Sequence, residues 1–171
     1  SPESPLHPTL VVKIGGSVLS SQDTTLQDLV ALQQRGAIPV VVHGGGQVIS
    51  QWMEKQGTVP RFIRGLRVTD ASSMEIVAAT LAGLVNKNLV ASIQRLGGKA
   101  LGMSGVDGGM LQAEILDPEM GYVGRILRVD TAPIRQALAG GYIPVIAPVA
   151  LHVIDSSENS GALLNINGDT A

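Results

Sequence analysis

AIPVVVHGGGQVISQWMEKQG, residues 37–57, is the stretch whose reading decides the fold. A β-branched apolar run, Ile38 to Val42 with Pro39 inside it, meets His43 and then Gly44, Gly45 and Gly46. Val48, Ile49, Trp52 and Met53 follow at helical spacing. The pattern reads as a buried strand, a glycine turn and an amphipathic helix. Such a turn leaves the first backbone N–H groups of the helix unpaired and uncovered by side chains, which makes a site for a carboxylate or a phosphate. Three glycines exceed what a turn needs, because each costs backbone entropy. Two explanations stand: close approach of the backbone to a ligand, or a tight turn with close strand–helix packing. His43 reads as hydrogen-bonded scaffolding rather than as a base.

The composition narrows the class. The 171 residues are 44% hydrophobic and only 2% aromatic, so the core must be built from Val, Leu, Ile and Ala. That suits an α/β fold with buried parallel strands. A net charge of -2, with no basic run and scarcely an aromatic ring, argues against nucleic acid as partner. With no cysteine there is neither a disulfide framework nor a thiol nucleophile. Three scattered histidines argue against a protein-bound transition metal. The opening SPESPLHP, residues 1–8, reads as a disordered tail or tag remnant and not as a secretory signal. The apolar run Tyr142 to Leu151 contains Pro144 and Pro148 and is too short to cross a bilayer. A soluble cytoplasmic protein without a membrane partner is the expectation.

Outward from the organising stretch, Leu10 to Ile14 is predicted as a buried strand ending in the turn Gly15-Gly16-Ser17. Leu26, Leu29, Val30 and Leu32 mark a helix before Gly36, and Val59 to Val68 is predicted as a hairpin. Thr69 and Asp70 offer N-caps for a long helix from about Ala71 to Leu96, where Ser72 and Glu75 also fit a capping box. Its stripe is Met74, Val77, Leu81, Leu84 and Val85, and Gly97-Gly98 ends it. Asn86, Lys87 and Asn88 read as a solvated or interface face. A strand over Lys99 to Met103, a tight loop over Ser104 to Gly109 and a hairpin over Met110 to Val129 follow. A helix over Thr131 to Ala139 precedes strands over Tyr142 to Ala147 and Val149 to Ile154. Asp155 to Gly161 is a polar turn, and Asn167 to Thr170 looks like a helix beginning just before the last residue, which suggests a truncated chain.

Four constellations carry chemistry. Lys13 at the end of the first strand, beside Gly15 and Gly16, can reach an anion held in that turn. The Walker A pattern is absent. Gly44 to Gly46 is the second. Arg67, just before the capped helix, could clasp a substrate carboxylate, although spacing alone favours a surface ion pair with Asp70 or Glu75. Asn165 and Asp169 could bind a polar ligand and orient Lys13, although spacing alone favours capping by Asn167 and Asp169.

VVKIGGS, VVVHGGG, GLRVTD and NINGD, in that order, resemble the amino-acid kinase family and, within it, the acetylglutamate kinases. LAGLVNKNLV and SGVDGG resemble that group's long helix and following loop, and the resemblance covers about Leu10 to Ala171. It implies a three-layer αβα sandwich with an open, mostly parallel sheet. It implies that residues 9–171 are the lobe that binds N-acetyl-L-glutamate, with ATP bound by a second half that is missing here. The implied reaction moves the γ-phosphoryl of ATP to the side-chain carboxylate, with Mg²⁺ carried by the nucleotide rather than by residues of this chain. Carried over by motif, Lys13 neutralises charge on the phosphoryl and Asp169 orients it, as the catalytic pair. Gly15 and Gly16 bind phosphate, and Gly44 and Gly45 offer N–H groups to substrate. Arg67 holds the α-carboxylate and Asn165 the polar groups. A homodimer is also implied, for which Ala78, Ala79, Ala82 and Gly83 offer a small-residue face. Two alternatives stay open: an acetylaminoadipate-type kinase, and a non-catalytic amino-acid-binding regulatory domain.

Overall fold

A computed structural model describes residues 9–15, 24–153 and 161–171. The tail 1–8, Gly16, Ser17 and the polar turn up to residue 160 lie outside the described residues. In chain order the elements begin with β1 (Val11–Ile14), α1 (Thr25–Gln34), β2 (Val40–His43) and α2 (Gly46–Lys55). A hairpin of β3 (Phe62–Ile63) and β4 (Leu66–Arg67) follows. The long helix consists of α3 (Ala71–Ala78), a π-helical segment (Ala79–Val85) and α4 (Asn86–Arg95). Then come β5 (Ala100–Ser104), β6 (Leu111–Ile115), β7 (Gly124–Val129) and α5 (Ala132–Ala139). The last strands are β8 (Ile143–Ala147), β9 (Val149–His152) and β10 (Leu163–Asn165).

The central sheet is wholly parallel, in the order β1-β2-β8-β5. Strand alternation sorts its side chains onto two faces. Ile14, Val41 and Val145 pack against Leu29 and Val30 of α1 and Leu89 and Ile93 of α4. Val40, Val42 and Ile146 pack with Met110, Leu111 and the α5 residues Ile134 and Leu138. Helices therefore cover both faces, which is why β2 reads as an unbroken apolar run rather than an alternating one. This is the three-layer αβα sandwich the resemblance implies.

The sheet stops at Pro148, between β8 and β9. A proline has no N–H to continue a ladder, and β9 turns instead into a second, mixed sheet in the order β10-β9-β6-β7. Its inner pair β9–β6 is parallel and its outer pairs are antiparallel. The predicted hairpin over Val59 to Val68 forms, with Arg64 (φ 50°) and Gly65 (φ 79°) at its tip, the backbone that a two-residue turn demands.

The long helix departs from its sequence reading in three ways. Asp70 caps it, accepting from the Ser73 N–H at 2.8 Å, while Ser72 lies inside the first turn and donates to Asp70 instead of opening a capping box with Glu75. Leu84, placed in the buried stripe, is 41% exposed, because in the π-helical turn Leu81 and Val85 take the inward face. Asn86, placed on a solvated face, is fully buried. The 25 residues Ala71–Arg95 are long and apolar enough to cross a membrane by composition. Met74, Val77, Leu81, Val85, Leu89 and Ile93 from this helix all enter the core clusters, which is how a core helix behaves.

Candidate functional site

β1 and β2 run side by side in register, Lys13 opposite Val42 and Ile14 opposite His43. Their carboxyl ends therefore bring Gly15 and the glycine loop together, at the edge of a parallel sheet where ligands of open α/β folds bind. The Gly44 N–H donates to Ile14 O at 2.9 Å and ties the two turns to each other. α2 starts directly after the loop with no side-chain cap. The Gly45 and Gly46 amides have no partner among the described residues. They face a cleft of about 620 Å³, counting the space open to solvent. Gly44, Gly45, Gly46, Arg67, Leu81, Asn165 and Gly168 line it, with Ile49, Phe62, Leu66 and Val123 as its apolar wall.

The candidate residues of all four constellations that the structure describes converge here. The Lys13 ammonium lies 2.8 Å from an Asp169 oxygen, both side chains being partly open to water. Gly168 lies beside both His43 and Lys13, and a Cβ there would be in ordinary van der Waals contact, 3.6 Å from His43 O and 3.7 Å from Lys13 Cε. The C-terminal turn thus closes onto both glycine turns. Asp169 takes the lysine instead of capping a helix, while Asn167 makes the local turn, its side chain accepting from the Asp169 N–H at 2.9 Å.

Arg67 is 7% exposed and has no carboxylate partner among the described residues, which overturns the surface ion pair that spacing favoured. Its Nη2 donates to Gly46 O at 2.8 Å and to Ser50 Oγ at 2.9 Å. Nη1 lies 3.3 Å from Met53 Sδ, and the guanidinium sits 4.7 Å from the centre of the Phe62 ring. Burial pushes its pKa down, yet a guanidinium stays protonated at neutral pH. A buried cation with no anion, on the wall of a cleft, calls for an anionic ligand. The Nη2 donors are committed to α2, so Nε and the remaining Nη1 proton are the groups left for it.

Asn165 enters from β10, and its Nδ2 donates to Thr69 Oγ1 at 3.3 Å. Thr69 is fully buried and donates in turn to Arg67 O at 2.9 Å, so the amide and the guanidinium are held by one frame. Thr69, Ser50 and Leu81 escaped the sequence reading as site residues. Thr69 reads as a cap and Leu81 as core, and nothing local marks Ser50. Gly45 proves to be constrained by packing: a Cβ there would lie 2.7 Å from Leu81 Cδ2 and 3.2 Å from Val85 Cγ2. Beside Gly15 and Gly44 there is open space. Gly16 lies outside the described residues.

His43 is fully buried, with Nδ1 2.9 Å from Gly44 O and Nε2 3.1 Å from Asn86 Nδ2. Desolvation pushes its pKa down, and the nearby Lys87 charge adds to that. It is scaffolding, as its sequence position suggested.

Residues 8–171 match the sequence profile of the amino acid kinase family. The chain belongs to that family. Curated relatives in the amino acid kinase family include the acetylglutamate kinase of Dehalococcoides mccartyi strain CBDB1, 46% identical over 94% of this chain and 59% of that protein. The acetylglutamate kinase of Thermoanaerobacter sp. strain X514 is 43% identical over 95% of this chain and 54% of its own length. The chain therefore spans a little over half the length of these relatives. Among solved structures, a Streptococcus mutans UA159 protein superposes with a TM-score of 0.82 at 31% identity, over 95% of this chain and 64% of that one. N-acetylglutamate synthase from Neisseria gonorrhoeae, solved with coenzyme A and N-acetyl-glutamate, superposes with a TM-score of 0.68 at 31% identity, over 93% of this chain and 36% of that one.

Proposed function

We propose that residues 9–171 are the substrate lobe of a cytoplasmic acetylglutamate kinase of arginine biosynthesis. The lobe binds N-acetyl-L-glutamate and presents its side-chain carboxylate to the γ-phosphoryl of ATP. The observation that carries the reading is the buried, anion-free Arg67 on the wall of a cleft, with Lys13 next to Gly168, another residue that lines it. Two positive groups flanking a glycine loop suit a ligand with a carboxylate at each end. Acetylglutamate kinases among the relatives, at 43–46% identity, support the choice of ligand.

In the reaction, a carboxylate oxygen forms the new bond to phosphorus as the bond to ADP breaks. A side-chain carboxyl with a pKa of about 4.3 is already ionised at neutral pH, so no general base is needed. The obstacle is the approach of an anion to a polyanion, and catalysis consists of positioning and positive charge. Lys13, held by Asp169, neutralises the transferring group. Gly15, with Gly16, offers N–H groups to phosphate. Gly45 and Gly46 offer theirs to substrate, whereas the Gly44 N–H, expected to do so from the motif, is spent on Ile14 O, and Gly44 contributes only the open backbone surface of the cleft. Arg67 holds the α-carboxylate, and Asn165 the amide and other polar groups. ATP is held by the other half of the family's fold, and two copies pair into a dimer through the substrate lobe. Among the described residues no three His, Asp or Glu side chains converge, and Asp169 is engaged by Lys13. These residues suit phosphate and not a bare cation, so Mg²⁺ comes with the nucleotide.

Calorimetric titration of the chain with N-acetyl-L-glutamate tests this reading, with Arg67→Ala as control. A charge-assisted hydrogen bond is worth about 1.5–3 kcal/mol, so the control should bind roughly 10- to 150-fold more weakly. Equal affinity in a folded Arg67→Ala sample would refute the assignment. Tighter binding of N-acetyl-L-aminoadipate would move the chain to the longer substrate.

A further inference from the structure

We propose that His43 is a positioning residue, locked as the neutral Nδ1–H tautomer by a relay from Lys87 through Asn86, and that it aims the glycine-loop amides at the ligand. The relay can be followed atom by atom. Lys87 Nζ donates to Asn86 Oδ1 at 3.0 Å. Asn86 Nδ2 faces three acceptors: Val145 O at 2.9 Å, His43 Nε2 at 3.1 Å and Met103 O at 3.3 Å. Flipping the amide would set its oxygen against two carbonyls and its NH₂ against an ammonium, so the orientation is determined. With Asn86 donating, His43 Nε2 must accept, and the ring proton must sit on Nδ1. Nδ1 then donates to Gly44 O at 2.9 Å. The peptide is planar and trans, so the Gly45 N–H points opposite to the Gly44 carbonyl, away from the buried ring and towards the cleft that Gly45 lines.

The fold makes room for this relay. A Cβ on Gly102 would lie 2.2 Å from Asn86 Oδ1 and 2.8 Å from Lys87 Nζ, so only a glycine on β5 lets the amide and ammonium meet there. His43 and Asn86 are both fully buried, in a position that packing alone would fill with an apolar residue. A histidine between a carbonyl and an amide fixes a direction that an apolar side chain cannot.

The proposal rests on the cleft being the acetylglutamate site only in its binding arm. Nitrogen-15 NMR of the chain reads the tautomer of His43 directly, and the Gly45 amide shift reports the loop. His43→Asn keeps a donor at the Nδ1 position, whereas His43→Leu keeps the bulk and loses the donor. The expected results are an Nδ1–H signature for His43 and a displaced Gly45 amide resonance in His43→Leu. Affinity for N-acetyl-L-glutamate should fall about tenfold in His43→Leu and stay within about threefold in His43→Asn. Lys87→Met, at an exposed position, should shift the His43 nitrogen signals without unfolding the chain. An Nε2–H tautomer overturns the proposal whatever the variants do. An unmoved Gly45 resonance in folded His43→Leu overturns it too, and so does His43→Asn behaving no better than His43→Leu. If His43→Leu does not fold, the tautomer, His43→Asn and Lys87→Met still decide. A wild-type chain that ignores acetylglutamate refutes the assigned ligand, while the two NMR readouts still judge the relay.

Discussion

Gly45→Ala is the most informative single change. An ideal Cβ on Gly45 would lie 2.7 Å from Leu81 Cδ2, 3.2 Å from Val85 Cγ2 and 3.7 Å from Val85 Cγ1. Carbon atoms prefer about 3.5–4.0 Å, so the overlap with Leu81 approaches 1 Å. Leu81 is 2% exposed and packed among Ile49, Met53 and Val77, so its methyl can yield only towards the cleft that Leu81 lines. Overpacking of this kind costs about 1–3 kcal/mol, or roughly 2–12 °C in Tm for a chain of this size. Leu81→Ala alone should cost about 2–5 kcal/mol by leaving a cavity. In the Leu81→Ala background the added methyl enters the vacated space, and Gly45→Ala should cost close to nothing. A double-mutant cycle by urea unfolding should therefore show coupling of about 1–3 kcal/mol. Additive single-variant effects would refute the close-packing argument. So would an unshifted midpoint for Gly45→Ala, which would return Gly45 to a purely ligand-facing role.

Other expectations follow from the same geometry. In an enzyme carrying both halves, Lys13→Ala should lower kcat by about 10²-fold or more, as for loss of one preorganised donor, and an unchanged kcat would remove Lys13 from the chemistry. Arg67→Lys should weaken acetylglutamate binding, because an ammonium cannot serve Gly46 O, Ser50 Oγ and a carboxylate at once; calorimetry showing wild-type affinity would contradict that. The pKa of His43 is held below its ordinary value of about 6.5, so near that pH the unfolded chain binds the proton more readily than the folded one. Its contribution to stability should be complete above about pH 6.5 and fall away as the pH drops through that value towards the lower folded-state pKa. Urea midpoints across pH 5–8 in wild type and His43→Leu would show whether that slope belongs to His43. Asp70→Ala should cost about 1 kcal/mol through loss of the helix cap, with Ser72→Ala nearer neutral, checked by the same unfolding assay.

Much of the architecture was legible because it is written in local chemistry. β2 and α2 follow from a β-branched run, a glycine turn and helical spacing, all within one stretch of sequence. The same logic located the ends of α1 and the long helix, and the hairpins of β3–β4 and β6–β7. It misread Leu84 and Asn86 for one reason: both readings assumed a regular helical phase through a segment that is π-helical. It misread the ion pairing of Arg67, because Asp70 is near in sequence whereas Gly46 and Ser50, the groups that hold the guanidinium, lie on another element. Spacing alone favoured Asp169 as a cap over a partner of Lys13, and in the fold its carboxylate lies 2.8 Å from the Lys13 ammonium.

By itself, the sequence determined the strand–glycine–helix units, the apolar character of the central strands and the motif order that marks the family. Periodicity and turn chemistry act over a few residues, and a linear string carries them intact. Tertiary structure alone decided which polar groups are buried and whom they face. Asn86 meets His43 across 43 positions and Val145 across 59, and Asn165 meets Thr69 across 96. A buried donor or acceptor must find its partner wherever the packed layers bring one, and that choice is made by the fold as a whole rather than by sequence neighbours.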